Sequence, residues 1–338
     1  MMAPLPPALV TVVIPTFRRP YDLLRAMHSV FKQTYLDGAP AELIIVDNDP
    51  IGSSLRPANS FAEEAPETLK VTVLHCPDAG VANARNMAIN AVTTSLVAFL
   101  DDDQSAPATW LAELMRTRAD TAASVVFGPV DTALPEHVTE HRAHFQAFFS
   151  RTPDLPEGLI PTFFGCGNSL LDLQQLPARR PLFDARTNET GGEDDNLFSQ
   201  VQRSKGRFAW ASRARVWEHV PTSRAKLSYT IRRAVAYGQG PSRMAHEGSD
   251  YTQLVFWMGV GAGQLTVFGA ITCLAWAMRL PKRAVWLNRA AQGYGKLIWW
   301  PRHLFYGASQ SPGQTLSVET SSPTSDEPAP LPPQSLAS

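Results

Sequence analysis

Apolar runs and amphipathic stretches alternate through the first third of the chain. Leu9-Val10-Thr11-Val12-Val13-Ile14 is uninterrupted, rich in β-branched residues and closed by Pro15, which predicts a buried strand. After a loop at residues 16–20, Leu23, Leu24, Met27, Val30 and Phe31 recur at helical spacing and mark one face. Leu43-Ile44-Ile45-Val46 and Val71-Thr72-Val73-Leu74 predict further strands, with residues 52–66 reading as loop. A helix is expected from Ala79 to about Ala91, a strand at Leu96–Leu100, a helix near Pro107–Ala119 and a strand at Ser124–Phe127. Strands separated by helices join by right-handed crossovers into a mostly parallel sheet. Strands apolar along their whole length need helices on both faces.

Past residue 131 the pattern is mixed. Phe163 to Leu171 reads as a glycine-rich bend entering a strand, and Gly191 to Phe198 as an acidic helix start. Short strands are expected at Phe208–Ala211 and Arg215–Val220, followed by a basic helix over Ser223–Tyr237. Tyr251–Met278 carries no charged residue and is long enough to cross a hydrocarbon core. Trp286, Trp299 and Trp300 are interleaved with Lys282, Arg283, Arg289, Lys296 and Arg302, a composition suited to a membrane interface. From Ser311 the Ser-, Pro- and Thr-rich tail is expected to be disordered.

Composition narrows the function without naming it. The 338 residues are 44% hydrophobic and 18% charged, with a net charge of −1, which gives no basis for a nucleic-acid partner. Cys76, Cys166 and Cys273 lie far apart, fitting reduced thiols better than a disulfide framework or a metal knuckle. No basic region followed by an apolar core marks residues 1–7 as a signal peptide. The first strand-to-helix turn has no Gly-x-Gly-x-x-Gly pattern, and a Walker A loop is absent, so a dinucleotide fold is disfavoured.

The sharpest chemical signal is Asp101-Asp102-Asp103, at the carboxyl end of a predicted central strand. Open α/β sheets bind ligands there. Crowded carboxylates resist ionisation unless a cation sits between them, and hard divalent ions take oxygen ligands and substrate phosphates together. A solvated acidic turn is the alternative reading.

Five motifs in order then carry a resemblance. They are Val12-Val13-Ile14-Pro15-Thr16-Phe17, Ile45-Val46-Asp47-Asn48, Gly80-Val81-Ala82-Asn83-Ala84-Arg85-Asn86, Phe99-Leu100-Asp101-Asp102-Asp103 with Trp110-Leu111, and Gly192-Glu193-Asp194. Over residues 9–240 the sequence resembles a family 2 glycosyltransferase of the inverting GT-A group. Asp47-Asn48-Asp49-Pro50, Val220-Pro221 and Gln292 to Lys296 are similar to the succinoglycan-type branch, which extends lipid-linked oligosaccharides.

The resemblance implies an α/β GT-A fold, with a Rossmann-like, mostly parallel central sheet flanked by helices, as a transferase domain at residues 1–240 (nucleotide-binding half 1–130, acceptor-binding half 131–240). The composition beyond it predicts a C-terminal membrane-associating helical region at 241–310 and a tail at 311–338. Thr16, Asp47, Arg85, Asp101 and Asp102 would bind the nucleotide-sugar donor, and Asp103 with Asp101 a Mg²⁺ or Mn²⁺ ion. Glu218 or His219 would offer a third ligand, and Arg232 and Arg233 would face the leaving diphosphate. Asp194 would be the general base; Gly167, Asn168 and Glu193 would meet the acceptor. The second acidic residue usual two positions after the base is Asn196 here.

A Gln-x-x-Arg-Trp motif is missing after Tyr229, which favours single transfers over polymerisation. The expected partners are a nucleotide-diphosphate sugar (foremost UDP-glucose), a lipid-linked oligosaccharide and the inner leaflet of a bacterial inner membrane. The chain would attach there from the cytoplasm through a hairpin around Gly259–Gly263, the alternative being a buried helix pair. Rhamnosyl or galactosyl transfer in O-antigen assembly, and a non-catalytic nucleotide-sugar-binding module, are the other readings.

Overall fold

The computed structural model describes residues 9–178, 180–188 and 191–301. The first half runs β1 (Val10–Thr16), α1 (Pro20–Phe31), β2 (Ala41–Asp47), α2 (Leu55–Ala62), β3 (Leu69–His75), α3 (Val81–Ala91), β4 (Leu96–Phe99), β5 (Gln104–Ser105), α4 (Trp110–Thr121) and β6 (Val125–Phe127). Then come β7 (Val130–Ala133), α5 (Arg142–Phe149), β8 (Gly158–Ile160), β9 (Ser169–Asp172), α6 (Glu193–Arg203), β10 (Phe208–Trp210) and β11 (Val216–His219). Three long helices follow: α7 (Leu227–Glu247), α8 (Tyr251–Ala277) and α9 (Arg283–Leu297).

The main sheet has the order β3-β2-β1-β4-β9-β6-β10-β8, and a small sheet the order β5-β11-β7. Successive side chains of β1 point to opposite faces. Val10, Val12 and Ile14 enter a core with Leu23, Met27 and Trp110, while Val13 joins Ile44, Val97, Phe99 and Phe183 on the other side. Burial on both faces is why these strands read as unbroken apolar runs.

β1 to β4 pair in parallel, but β9 runs antiparallel to both β4 and β6. The segment entering β9 therefore arrives at the edge where the chain leaves β4, and that edge carries the site.

Three expectations need correction. The stretch 52–66 contains α2, whose Ala58 is buried and whose Phe61 stacks on Phe31 at 5.2 Å. Eight residues holding Pro57, Asn59 and Ser60 show too little periodicity to announce a helix. The basic helix extends beyond Tyr237 to Glu247, with Pro241 inside it. The hairpin expected around Gly259–Gly263 does not form: α8 is one continuous 27-residue helix, and the reversal comes at residues 278–282. Gly261 is a packing position, where a Cβ would stand 2.7 Å from the Gly293 carbonyl oxygen of α9. Expectations for residues 1–8 and 302–338 lie outside the described residues.

Candidate active site

Because β1 and β4 are parallel neighbours, with Val13 opposite Phe99, their carboxyl ends emerge side by side. Thr16 Oγ1 at the end of β1 donates to Asp102 Oδ2 at 2.9 Å. Arg19 Nη1 lies 2.9 Å from both Asp102 Oδ1 and Asp103 Oδ2. Arg224, just before α7, brings Nη1 to Asp103 Oδ2 at 2.9 Å and Nη2 to Glu218 Oε1 at 3.2 Å. The backbone N–H of His219 donates to the Asp103 carbonyl at 2.8 Å, tying β11 to the acidic turn. Of the pair left open by the sequence, Glu218 faces Asp103, and the His219 ring meets Ser105 Oγ at 2.7 Å.

The carboxylates are crowded; Asp102 and Asp103 are buried, and Asp101 is half-buried. Burial first, then Asp103, pushes Glu218 up to about 7, although Arg224 opposes the shift. Burial likewise pushes Asp102 up to about 6 against the pull of Arg19. Asp101 is raised by burial, with Asp103 and Asp194 adding to it and Arg85 and Arg151 opposing it. Burial works against the Arg19 charge, but Asp102 and Asp103 outweigh it and keep the guanidinium protonated.

The donor set is all oxygen, and Asp101, Asp103 and Glu218 stand close enough to repel one another. Both properties fit a hard divalent cation. Among the described residues no three Asp, Glu, His or Cys side chains converge as a ready shell, so substrate oxygens would have to complete one.

A second wall is formed by the loop entering β9. Gly167 passes so near Asp101 that a Cβ on it would stand 2.1 Å from Oδ2. A Cβ on Gly165 would stand 3.2 Å from Asp194 Oδ2. Cys166 N–H, between them, donates to that same Asp194 oxygen at 3.1 Å. Asp194 itself sits in the first turn of α6, after Gly192 at φ +92°. Arg85 joins the two walls: it bonds Glu193 Oε1 at 2.5 Å and lies 3.7 Å from Asp101 Oδ1. Glu193 is buried, and its Oε2 has no hydrogen-bond partner among the described residues.

Arg151 holds this loop from behind. Its guanidinium donates to the carbonyls of Gly165 at 2.7 Å, Gly167 at 2.6 Å and Gly128 at 3.0 Å. Burial lowers its pKa to about 10, with Asp101 and Asp194 opposing the shift. The Cys166 thiol, buried in the same place, is pushed up to about 12 and is no nucleophile.

Thr16, Arg85, Asp101, Asp102, Asp103, Gly167, Glu193 and Asp194 thus form one connected cluster. Other sequence candidates are placed differently. Asp47 is fully buried, and its oxygens accept backbone N–H groups of Asp49 at 3.0 Å and Ser54 at 2.6 Å, shaping the exit of β2. Asn168 has no exposure; its amide accepts from Trp110 Nε1 at 2.7 Å and donates to the carbonyls of Pro129 and Ala214 at 2.8 Å. That amide belongs to the framework behind the loop. Arg232 is exposed and turns back to the Ser228 carbonyl, while Arg233 meets the Tyr229 and Tyr237 hydroxyls and stands near enough to Glu218 to oppose the rise of its pKa. The guanidinium that reaches Asp103 from this region is Arg224. Asn196 is exposed on the first turns of α6.

Sequence reasoning missed Arg19, Arg151 and Arg224 as members of the site. Their ion pairs and clamps span 83 and 121 residues, or target backbone carbonyls, and leave no local pattern. The one available signal was position: Arg19 follows the β1 motif and Arg224 follows Val220-Pro221.

Comparison with known proteins bears on family and fold. The profile described as "Glycosyl transferase family 2" matches residues 11–173. Succinoglycan biosynthesis protein ExoM of Rhizobium meliloti is 31% identical over 244 residues, covering 69% of this chain and 74% of that protein. The uncharacterized glycosyltransferase YibD of Escherichia coli is 32% identical over 105 residues, 31% of this chain and 29% of that one. Among solved structures, the mannosyltransferase PcManGT of Pyrobaculum calidifontis, in complex with GDP-Man and Mn²⁺, aligns with a TM-score of 0.55 at 18% identity. The alignment covers 84% of this chain and 86% of that one, and at this identity it is a likeness of fold.

Proposed function

This chain belongs to glycosyl transferase family 2, and from that premise we propose that it moves one hexose from a nucleotide-diphosphate sugar to a lipid-linked oligosaccharide, inverting the anomeric carbon. UDP-glucose is the foremost donor, and the work is done at the cytoplasmic face of a bacterial inner membrane. The observation that carries the reading is the three-residue loop Gly165–Gly167, pressed between Asp101 on one side and Asp194 on the other. A donor held at the acidic turn and an acceptor lying on this loop would meet between the two carboxylates.

Asp194 takes the proton of the acceptor hydroxyl as its oxygen bonds to the anomeric carbon. The bond from that carbon to the donor phosphate oxygen breaks, and the nucleoside diphosphate leaves with the electron pair. The Cys166 N–H fixes one Asp194 oxygen, which orients the other carboxylate lone pairs without neutralising the base. Asp103 and Asp101 would hold Mg²⁺ or Mn²⁺, and a divalent ion there supplies Lewis-acid neutralisation of the departing diphosphate. Arg224 and Arg19 contribute positive charge beside the same place, and guanidinium geometry suits phosphate oxygens. Glycines at 165 and 167 leave room for the backbone to approach a sugar ring.

The relative in succinoglycan biosynthesis supports a surface-polysaccharide acceptor, and the Mn²⁺ in the mannosyltransferase complex makes that ion worth testing beside Mg²⁺. The test is transfer of radiolabel from a panel of nucleotide sugars into purified lipid-linked intermediates, with either metal or with chelator. Wild type is run beside Asp194→Asn and Asp103→Ala. Label from one donor, lost in both variants while Asp194→Asn still binds donor, is the expected result. Transfer that survives Asp194→Asn would overturn the base assignment, and no transfer from any donor would overturn the enzymatic reading.

A further inference from the structure

We infer that α8 and α9 together form one amphipathic unit lying in the plane of an anionic membrane surface, α8 as its lipid-facing layer and α9 as its headgroup-facing layer. The inference rests on the membrane-associated part of the proposed function and is independent of the reaction. By length and composition α8 could equally cross a bilayer: it is 27 residues long, about 40 Å at 1.5 Å per residue. Its packing decides between the two.

Along α8 the buried positions are Leu254, Gly261 and Ala275, and Phe268, in the same seven-residue series, stacks on Trp286 of α9 at 5.8 Å. That seam is the centre of the face α8 gives to the described protein; away from it, Phe256 is 59%, Val267 55% and Leu274 60% exposed. On the seam the backbones touch. A Cβ on Gly293 of α9 would stand 2.7 Å from the backbone nitrogen of Leu265, at the middle of α8. Lys296 Nζ donates to Gln264 Oε1 at 3.0 Å, at the same level. A crossing that put the middle of α8 at the bilayer centre would carry the Lys296 ammonium with it, among the costliest groups to place there. Arg289, over the rings of Phe268 and Trp286 at 5.4 and 5.5 Å, would follow.

Both ends of α8 also belong to the water-facing protein. At its C-terminal end Trp276 packs on His141 at 5.9 Å, and Arg283, beginning α9, pairs with Glu140 at 3.1 Å. At its N-terminal end it follows directly on α7, whose last turns carry Arg243 and Glu247. With α8 flat on the surface, neither end has to be pulled through the hydrocarbon, and the cations of α9 stand at headgroup level.

Charge selects the kind of surface. Residues 251–301 hold five Lys and Arg (Arg279, Lys282, Arg283, Arg289, Lys296) and no Asp or Glu. Arginines whose guanidinium groups lie over aromatic rings at an apolar boundary, as Arg283 does over Trp276 and Arg289 over Trp286, suit anionic headgroups. α8 is apolar on every side because the polar face of the unit is a separate helix.

The full chain offers its own probe, since Cys76 and Cys166 are buried and Cys273 is exposed on α8. In a Cys273→Ser background, single cysteines replace Phe256, Gly263, Ala270 and Ala277, which are exposed and about 10 Å apart along the axis. A nitroxide on each is read for depth in phosphatidylglycerol–phosphatidylcholine vesicles, from its collision rates with oxygen and a water-soluble nickel chelate. The expected result is one shallow depth for all four, with weaker binding to vesicles of phosphatidylcholine alone. Depths that run from one surface through the centre to the other would overturn the inference in favour of a crossing. Labels that stay in water would overturn it in favour of a protein partner on α8. Equal binding to both vesicle types would overturn its anionic part. Glycosyl transfer is assayed separately, so loss of transfer with an unchanged depth profile would count against the reaction alone.

Discussion

Arg224 Nη1 donates at 2.9 Å to Asp103 Oδ2, the same carboxylate oxygen that Arg19 reaches from the first loop at 2.9 Å. The oxygen expected to receive a metal ion is thus held by two guanidinium groups, which have to yield as a divalent cation binds. Charge on the arginines and charge on the metal compete for one ligand.

Arg224→Ala removes one competitor. Its hydrogen bonds to ionised groups are worth about 1.5–3 kcal/mol each. Apparent Mn²⁺ affinity should therefore rise, while kcat/KM falls roughly 10- to 100-fold for want of positive charge beside the diphosphate. Titration of free Mn²⁺ by electron paramagnetic resonance, beside steady-state kinetics, separates the two. Unchanged metal affinity would mean that the arginine does not hold Asp103 in solution.

Arg151 is a positioning residue: it touches the carbonyls of the loop that carries the Cys166 N–H, and that N–H holds Asp194. Arg151→Lys keeps a charge but loses the fork that spans several carbonyls. The expected outcome is a drop in kcat of about 10- to 100-fold from misplacement of the base, with donor dissociation constant nearly unchanged and the pH–rate profile displaced. A purely structural part would lower thermal stability without moving that profile.

Gly167→Ala puts a methyl group where Asp101 Oδ2 now stands, 2.1 Å from the ideal Cβ. The carboxylate end must move, and Asp101 is the group expected to serve donor and metal. Donor affinity and kcat should both fall, on the order of 10-fold or more, with the melting temperature little changed because Asp101 is a half-exposed side chain. Equal kinetics for the variant would detach Asp101 from donor binding.

His144 gives a pH prediction away from the chemistry. Burial, with His141 adding to it, lowers its pKa to about 4, and its ring meets Thr230 Oγ1 at 3.3 Å. Below about pH 6.5 an unfolded chain binds a proton on this histidine and the native chain does not. Stability therefore falls with pH between about 6.5 and 4, by no more than about 1.4 kcal/mol per pH unit from this residue. Urea unfolding of His144→Gln should show a shallower decline over that window than wild type. A parallel decline would mean that the ring is already protonated in the native state.

How far the sequence disclosed all this follows from the range of each interaction. β1, β2 and β4 were legible because both faces of each strand are buried, so the signal is local and continuous, and the edge strand β3 because its Val71–Leu74 run is β-branched and apolar. Asp101, Asp103 and Asp194 were legible because each sits at an element end that a short motif announces. α2 and α5 were not, since each is eight residues long and amphipathic over barely two turns. Arg19, Arg151 and Arg224 were illegible in another way: a single arginine in a loop looks the same whether it meets water or a carboxylate 121 residues away. The glycines of α8 were read as a bend, whereas they mark where another backbone comes close, a distinction only the partner helix supplies.

One short strand has a bearing on how such a protein can change. β9 is four residues long and reversed with respect to β4, and by that reversal a loop from the second half lies against the acidic turn of the first. The two walls of the cleft are therefore written in separate stretches of the gene. Segments between β7 and β9 can be exchanged, lengthened or recombined while the strands that carry Asp101 to Asp103 stay as they are. On the proposed reading, new acceptors would be tried by grafting at that one seam, with Gly167 kept so that its contact with Asp101 is preserved.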